Sequence, residues 1–279
     1  MSYKVVIDSC GELTPEMKVS GHFETASLEL EVDGYFIRDD ETFDQVDFLR
    51  RVAESPNEPK SSCPSPEEYM NAFRCEADHV YAVTLSAKLS GSYNSAVLGM
   101  NLYHEEYGEK DIYIFNSRSA SVGQTLIGLK IQECEEAGMS FQEVVATVEA
   151  YIESQHTYFV LETLDTLRKN GRLTGIKAVM ATALNIKPVM GSTPEGSITQ
   201  LGQARGMKKA LAKMTECVKS DAEDFKNKIL AISHCNNYKR AEYVRDLLLE
   251  CLNVRDVIIV NARGVTSMYA NDGGIVVVL

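Results

Sequence analysis

Apolar positions along the chain switch between two spacings, and the switches lay out its elements. Tyr3–Asp8, His79–Leu85 and Asp111–Phe115 are compact apolar runs that predict buried strands. Residues 91–106, Val122–Glu136 and 140–155 carry apolar positions at helical spacing, and Ser140-Phe141-Gln142-Glu143 opens the last of them as a capping box. Strands that alternate with helices predict a parallel α/β sheet. Ser27–Val32 and Tyr35–Arg38 flank Asp33-Gly34, a two-residue hairpin signal, so a small β element is expected at about residues 22–42. Helices are expected over Phe43–Glu54 and Pro66–Glu76, with Ser61–Pro66 as the loop between them.

The second half repeats the alternation with shorter pieces. Strands are predicted at 158–161, Ile186–Met190, Ser197–Leu201, Ile229–His234, Asp256–Val260 and 273–279. Helices are predicted at Thr163–Asn170, Ile176–Leu184, Met207–Lys219 and Tyr238–Cys251. The expected architecture is α/β in two domains. Residues 1–155 would form an N-terminal parallel sheet with the small inserted β element, and residues 156–279 a C-terminal α/β (α+β) sheet domain. With 279 residues, 44% of them hydrophobic, the chain is near the size at which one core splits in two.

Charge narrows the partners. Forty acidic residues against 28 basic ones give a net charge of −12, which disfavours nucleic acid and anionic membrane surfaces as broad electrostatic partners. Seven cysteines, an odd number with no C-x-x-C pair, lack the spacing of a zinc site or a disulfide framework, and a reducing compartment is expected. The first residues run straight into a strand without the layout of a signal peptide, and no apolar segment approaches the roughly 18 residues that span a bilayer. A soluble cytoplasmic protein without stable membrane insertion is expected.

The chemistry-bearing segments are rich in hydroxyls, glycine and arginine. They are Ser61-Ser62-Cys63-Pro64-Ser65-Pro66, Leu89-Ser90-Gly91-Ser92-Tyr93-Asn94-Ser95-Ala96, the turn Asn116–Ser121, 169–175 with Gly171-Arg172, and Gln203-Ala204-Arg205-Gly206. Hydroxyls and guanidinium groups on loops hold an anionic oxygen group by donating hydrogen bonds. The Ser86–Ser90 loop runs from a strand into a helix N-terminus, where free N–H groups favour an anion. Each segment also has a local explanation: Ser90-Gly91-Ser92 as a helix cap, Ser61–Pro64 as a turn, Arg172 as a charge at a helix C-terminus. Hydrolase, P-loop, dinucleotide and zinc-protease motifs are absent from the sequence, no metal site is expected, and His234, at a strand's C-terminal end, is the one histidine placed to line a site.

Taken in order, S-S-x-P-S-P, L-S-G-S-Y-x-S-A, N-S-x-S-A-S-x-G, L-E-T-L-D-T-L-R-K-N-G-R-L, L-N-I-K-P-V and A-R-G-x-x-K-A-L resemble the DegV family of bacterial fatty-acid-binding proteins. The resemblance runs from Asp8-Ser9 to the last strand and is most specific over Leu161–Leu211. It implies one long-chain fatty acid, such as a C16–C18 acid, in an apolar tunnel, with no cofactor and no catalysis by the chain itself. It also implies that the carboxylate is presented to a separate ATP-dependent fatty acid kinase. Carried over by position, Ser61 and Ser90 hold the carboxylate. Ser62, Gly91, Tyr269 and Arg172 are also expected to bind the fatty acid, Tyr269 as a possible third donor, with Arg172 and Arg205 near the headgroup or at the kinase-docking face. Cys63 stands where the family pattern has glutamine, and Tyr269 where it has histidine. A phenol still donates but hardly titrates near neutrality. Two rival readings are a transferase with Ser90 as nucleophile and a carrier of another apolar carboxylate.

Overall fold

A computed structural model describes residues 2–173, 185–221 and 225–279. The first half contains β1 (Tyr3–Asp8), α1 (Pro15–Ser20), β2 (Phe23–Ala26), β3 (Glu29–Val32), β4 (Tyr35–Arg38), α2 (Gln45–Glu54), β5 (Lys60–Ser62), α3 (Pro66–Phe73), β6 (His79–Thr84), α4 (Ser92–Tyr107), β7 (Asp111–Asn116), α5 (Val122–Glu136) and α6 (Phe141–Glu153). The second half contains β8 (Thr157–Val160), α7 (Asp165–Lys169), β9 (Ile186–Ser192), β10 (Ile198–Arg205), α8 (Met207–Ser220), β11 (Ile229–His234), α9 (Tyr238–Leu249), β12 (Asp256–Asn261), α10 (Gly264–Ala270) and β13 (Ile275–Val278).

Among the described residues the strands form three sheets, ordered β2-β1-β6-β7, β10-β9-β8-β13-β11-β12 and β4-β3-β5. The first is wholly parallel, with Val5 opposite both Phe23 and Tyr81. Its central strands are apolar on both faces because helices cover both. Val5, Ile7, Tyr81 and Val83 pack with Ile127, Ile131, Val144 and Val148 of α5 and α6, whereas Val6, Val80 and Ala82 face Tyr69, Phe73 and Ala96 of α3 and α4. The second sheet is mixed, and β13 lies in its middle, antiparallel to β8 on one side and β11 on the other. The small sheet closes over the junction of the two. Leu28, Leu30 and Val32 pack with Phe48 of α2, Leu85, and Val265 and Met268 of α10.

Several sequence expectations change here. Phe23–Ala26 does not belong to the small β element. It pairs parallel with β1, because Phe23 and Ala26 pack into the two cores flanking the first sheet. Ser61 and Ser62, expected in the loop, belong to the strand Lys60–Ser62 held against β3, with Ser61 opposite Leu30. The short helices α1 and α10 were not expected. α1 starts at the cap Thr14, which accepts from Met17 N–H, with Pro15 in its first turn. The helix expected over Ile176–Leu184 lies outside the described residues.

Candidate functional site

An apolar cavity of about 110 Å³ lies at the junction of the sheets. Its long wall is β8. Thr157, Phe159 and Leu161 line it, while Tyr158 and Val160 point the other way into the C-terminal core, as strand alternation requires. At about 3.3 Å per residue that face runs roughly 13 Å. Val265, Thr266, Tyr269 and Ala270, on one face of α10, form a second wall. Cys10, Leu85, Leu89 and the turn Arg118–Ser121 form the third.

The two ends differ in chemistry. Near the Thr157 end two hydroxyls are paired within the protein: Ser119 Oγ lies 2.6 Å from Thr157 Oγ1, and Ser86 Oγ donates to Gly196 O at 2.7 Å. At the Leu161 end the Ser61 and Tyr269 hydroxyls are held more loosely. Tyr269 OH is 3.4 Å from Ser61 Oγ, a long hydroxyl contact, and the Arg172 guanidinium lies 6.0 Å from the centre of the Tyr269 ring. Arg172 Nε donates to Leu89 O at 3.1 Å, and its other arm donates to Asn170 O. Ser90 Oγ accepts from Ser92 N–H at 3.2 Å.

The structure therefore brings Ser61, Tyr269, Arg172 and the Leu89–Gly91 segment to one corner. Gly91 belongs to it as well, because a Cβ built there would meet Cys63 Sγ at 3.4 Å, and burial pushes the Cys63 thiol pKa up. Leu89, Arg172 and Tyr269 line the cavity itself, with Ser61 and Ser90 just behind them. Ser62 is not brought in: it follows Ser61 on β5, takes the opposite face and is exposed. Arg205 is exposed near the end of β10, an edge strand, outside the cavity lining. His234 does not line the cavity either. Its buried ring accepts from Asn237 N–H at 3.2 Å ahead of α9, and burial lowers its pKa.

Behind the corner lies a buried polar layer that the sequence reading missed. Asp8 accepts from Leu85 N–H at 2.8 Å, Ser92 Oγ at 2.6 Å, Gln124 Nε2 at 2.8 Å and Cys10 N–H at 3.3 Å. Burial raises its pKa to about 6, against the lowering effect of those bonds. Glu12 accepts from Ser121 Oγ at 3.1 and 2.9 Å and from Ser233 Oγ at 3.3 Å, and burial raises it to about 7. Acids four residues apart after a buried strand were the available signal, but nothing in the sequence says that both are covered. Among the described residues no cluster of three or more His, Cys, Asp or Glu could hold a metal, and no helix is long and apolar enough to cross a membrane.

Known proteins share this chain from end to end. The family model described as uncharacterised protein, DegV family, matches residues 2–279. A DegV domain-containing protein of Streptococcus pyogenes serotype M1 is 33% identical over 99% of this chain and 98% of its own. A DegV family crystal structure from Ruminococcus gnavus, described with vaccenic acid, is 61% identical with a TM-score of 0.98 and full coverage of both chains. The Streptococcus pneumoniae Fatty Acid Kinase (Fak) B3 protein loaded with linoleic acid is 30% identical, with a TM-score of 0.88 over 100% of this chain and 99% of its own. The chain belongs to the DegV family.

Proposed function

We infer that this chain binds one long-chain fatty acid, its tail lying along β8 toward Thr157 and its carboxylate at the corner formed by Ser61, Ser90, Tyr269 and Arg172. One observation carries the reading: an apolar slot with the Tyr269 hydroxyl and the Arg172 guanidinium in its lining at the Leu161 end, beside the loosely held Ser61 hydroxyl. Burying about fourteen methylenes at ~0.8 kcal/mol each yields on the order of 11 kcal/mol before ordering costs, and a buried carboxylate without partners would lose several of these. Ser61, Tyr269 and Arg172 provide charge-assisted bonds that prevent that loss. Ser62 has no part in the grip, because it faces away. The carboxylate reaches Ser61 by opening the 3.4 Å contact with Tyr269. Relatives described with vaccenic and linoleic acid support the ligand class.

The likeness to the pneumococcal Fak B3 protein supports the finer reading, in which the bound acid is presented to a separate kinase that phosphorylates its carboxylate. A head held at a corner and a tail held along a strand suit that task, since only the reacting group need be exposed.

Native mass spectrometry of the protein purified without added lipid, followed by solvent extraction, tests the ligand. A stoichiometric long-chain fatty acid is the expected outcome; an apo mass that persists after fatty acid is added refutes it. Ser61→Ala with Ser90→Ala is expected to weaken oleate binding on the order of a hundredfold at unchanged Tm, and unchanged affinity would remove the carboxylate from this corner. With a bacterial fatty acid kinase and ATP, acyl phosphate should form only when this chain is present.

A further inference from the structure

We propose that Asp8, which touches neither the cavity nor the corner, is the positioning residue of the headgroup site and holds the segment from Leu85 to Ser92 by both ends. The assignment rests on the reading of Ser90 as a headgroup contact. One oxygen, Oδ2, accepts from Leu85 N–H at 2.8 Å and from Ser92 Oγ at 2.6 Å, so a single atom ties the start of the segment to its end. Oδ1 is fixed by Gln124 Nε2 and Cys10 N–H, which prevents the carboxylate from turning. Within the loop, Leu89 N–H and Ser90 N–H donate to Ser86 O at 2.9 and 3.1 Å, and Ser90 Oγ accepts from Ser92 N–H. Displacing Ser92 therefore displaces Ser90, and with it the Leu89 carbonyl that receives Arg172.

The same acid reaches the other half of the corner. Because Ser92 Oγ donates to Asp8, Tyr69 OH must donate to Ser92 Oγ at 2.7 Å, which ties in α3 directly after the Ser61–Pro64 segment. Ser95 Oγ donates to Pro64 O at 2.5 Å, a second bond between α4 and that segment. Both hydroxyl-bearing strips are thus referred to one buried carboxylate.

Gln124 Oε1 is buried and has no hydrogen-bond partner in this structure. That orphan acceptor distinguishes positioning from charge. In Asp8→Asn the amide oxygen can still take Leu85 N–H and Ser92 Oγ, while the new NH₂ donates to Gln124 Oε1 once the Gln124 amide turns over and only the 3.3 Å bond from Cys10 N–H is lost. Asp8→Ala removes the acceptor for all four donors.

The test combines oleate affinity, Tm and hydrogen exchange of the lipid-free protein. Asp8→Ala is expected to weaken oleate binding roughly tenfold or more and to speed amide exchange across residues 86–92, whereas Asp8→Asn should stay within about threefold of the native affinity. In the Asp8→Ala background, adding Ser90→Ala should cost little more. Native affinity and native exchange in Asp8→Ala, an Asp8→Asn as weak as Asp8→Ala, or fully additive losses with Ser90→Ala would each overturn the proposal. If Asp8→Ala does not fold, Ser92→Ala removes one of the two ties and is expected to move affinity and exchange in the same direction; no movement overturns the proposal as well. Ser90→Ala without effect in the native background would instead sink the Ser90 reading, a result read separately from loop exchange.

Discussion

The corner at the Leu161 end of the cavity and the buried layer behind it use similar side chains to opposite ends. In the buried layer, Asp8 and Glu12 take hydrogen bonds of 2.6 to 3.3 Å from side chains and backbone of several segments, and both lie at 0 to 2% exposure. At the corner, Ser61 and Tyr269 share one 3.4 Å contact and are only partly buried. A donor already bonded in good geometry gives up that bond to reach a ligand, whereas a loosely held one gives up little. On the proposed reading, tight bonds mark the frame and the loose Ser61–Tyr269 contact marks the grip.

Substitutions should separate the two. Glu12→Ala is expected to have the largest effect on stability. It leaves the buried hydroxyls of Ser121 and Ser233 without their acceptor and opens a void, for about 2–4 kcal/mol and a marked drop in Tm by calorimetry. A small drop would break the distinction. Tyr269→Phe should do the reverse, weakening oleate binding about threefold to tenfold in a fluorescence competition assay while Tm stays put.

Proton linkage gives a smaller, signed effect. Burial holds Asp8 up at about 6 and Glu12 at about 7, above their ordinary values of 3.8 and 4.5, so the folded state binds more protons between those values. Their contribution to stability is full below about pH 4, declines as pH rises through 6 and 7, and is flat above. In Glu12→Gln the fall in Tm across that window should be shallower; an unchanged slope would place the titration elsewhere. The smallest effect belongs to Ser62→Ala, expected to alter neither oleate affinity nor Tm, since Ser62 is exposed on the far face of β5.

Much of this was legible in the sequence, and the exceptions share a physical cause. β1, β6, β7, α5 and α6 could be read because their spacing is set by burial on one or two faces over many residues. Lys60–Ser62 has no apolar spacing and becomes a strand only because β3 offers it a partner. Gly264–Ala270 carries β-branched residues and is buried on nearly every side, with its first N–H groups accepted by the Asp39 carboxylate from far along the chain. Tertiary contacts, not local preference, make that helix. The corner residues Ser61, Ser90, Arg172 and Tyr269 were found through the family pattern, which encodes their order; the exposure of Ser62 and the remoteness of Arg205 follow from strand geometry that the pattern does not contain. Asp8 and Glu12 stayed hidden because an acidic residue is usually solvated, and only the packed structure shows these two covered.

β13 is the last strand of its sheet in chain order, yet it separates β8 from β11. Its Val276 belongs to the cavity wall, opposite Phe159 in the β8–β13 ladder. The long wall and its neighbour therefore meet only after residues 275–278 have left the ribosome, since a domain's chain folds as it emerges. Until then the cavity lacks its Val276 wall, so a tail bound as proposed could be enclosed only by the completed sheet.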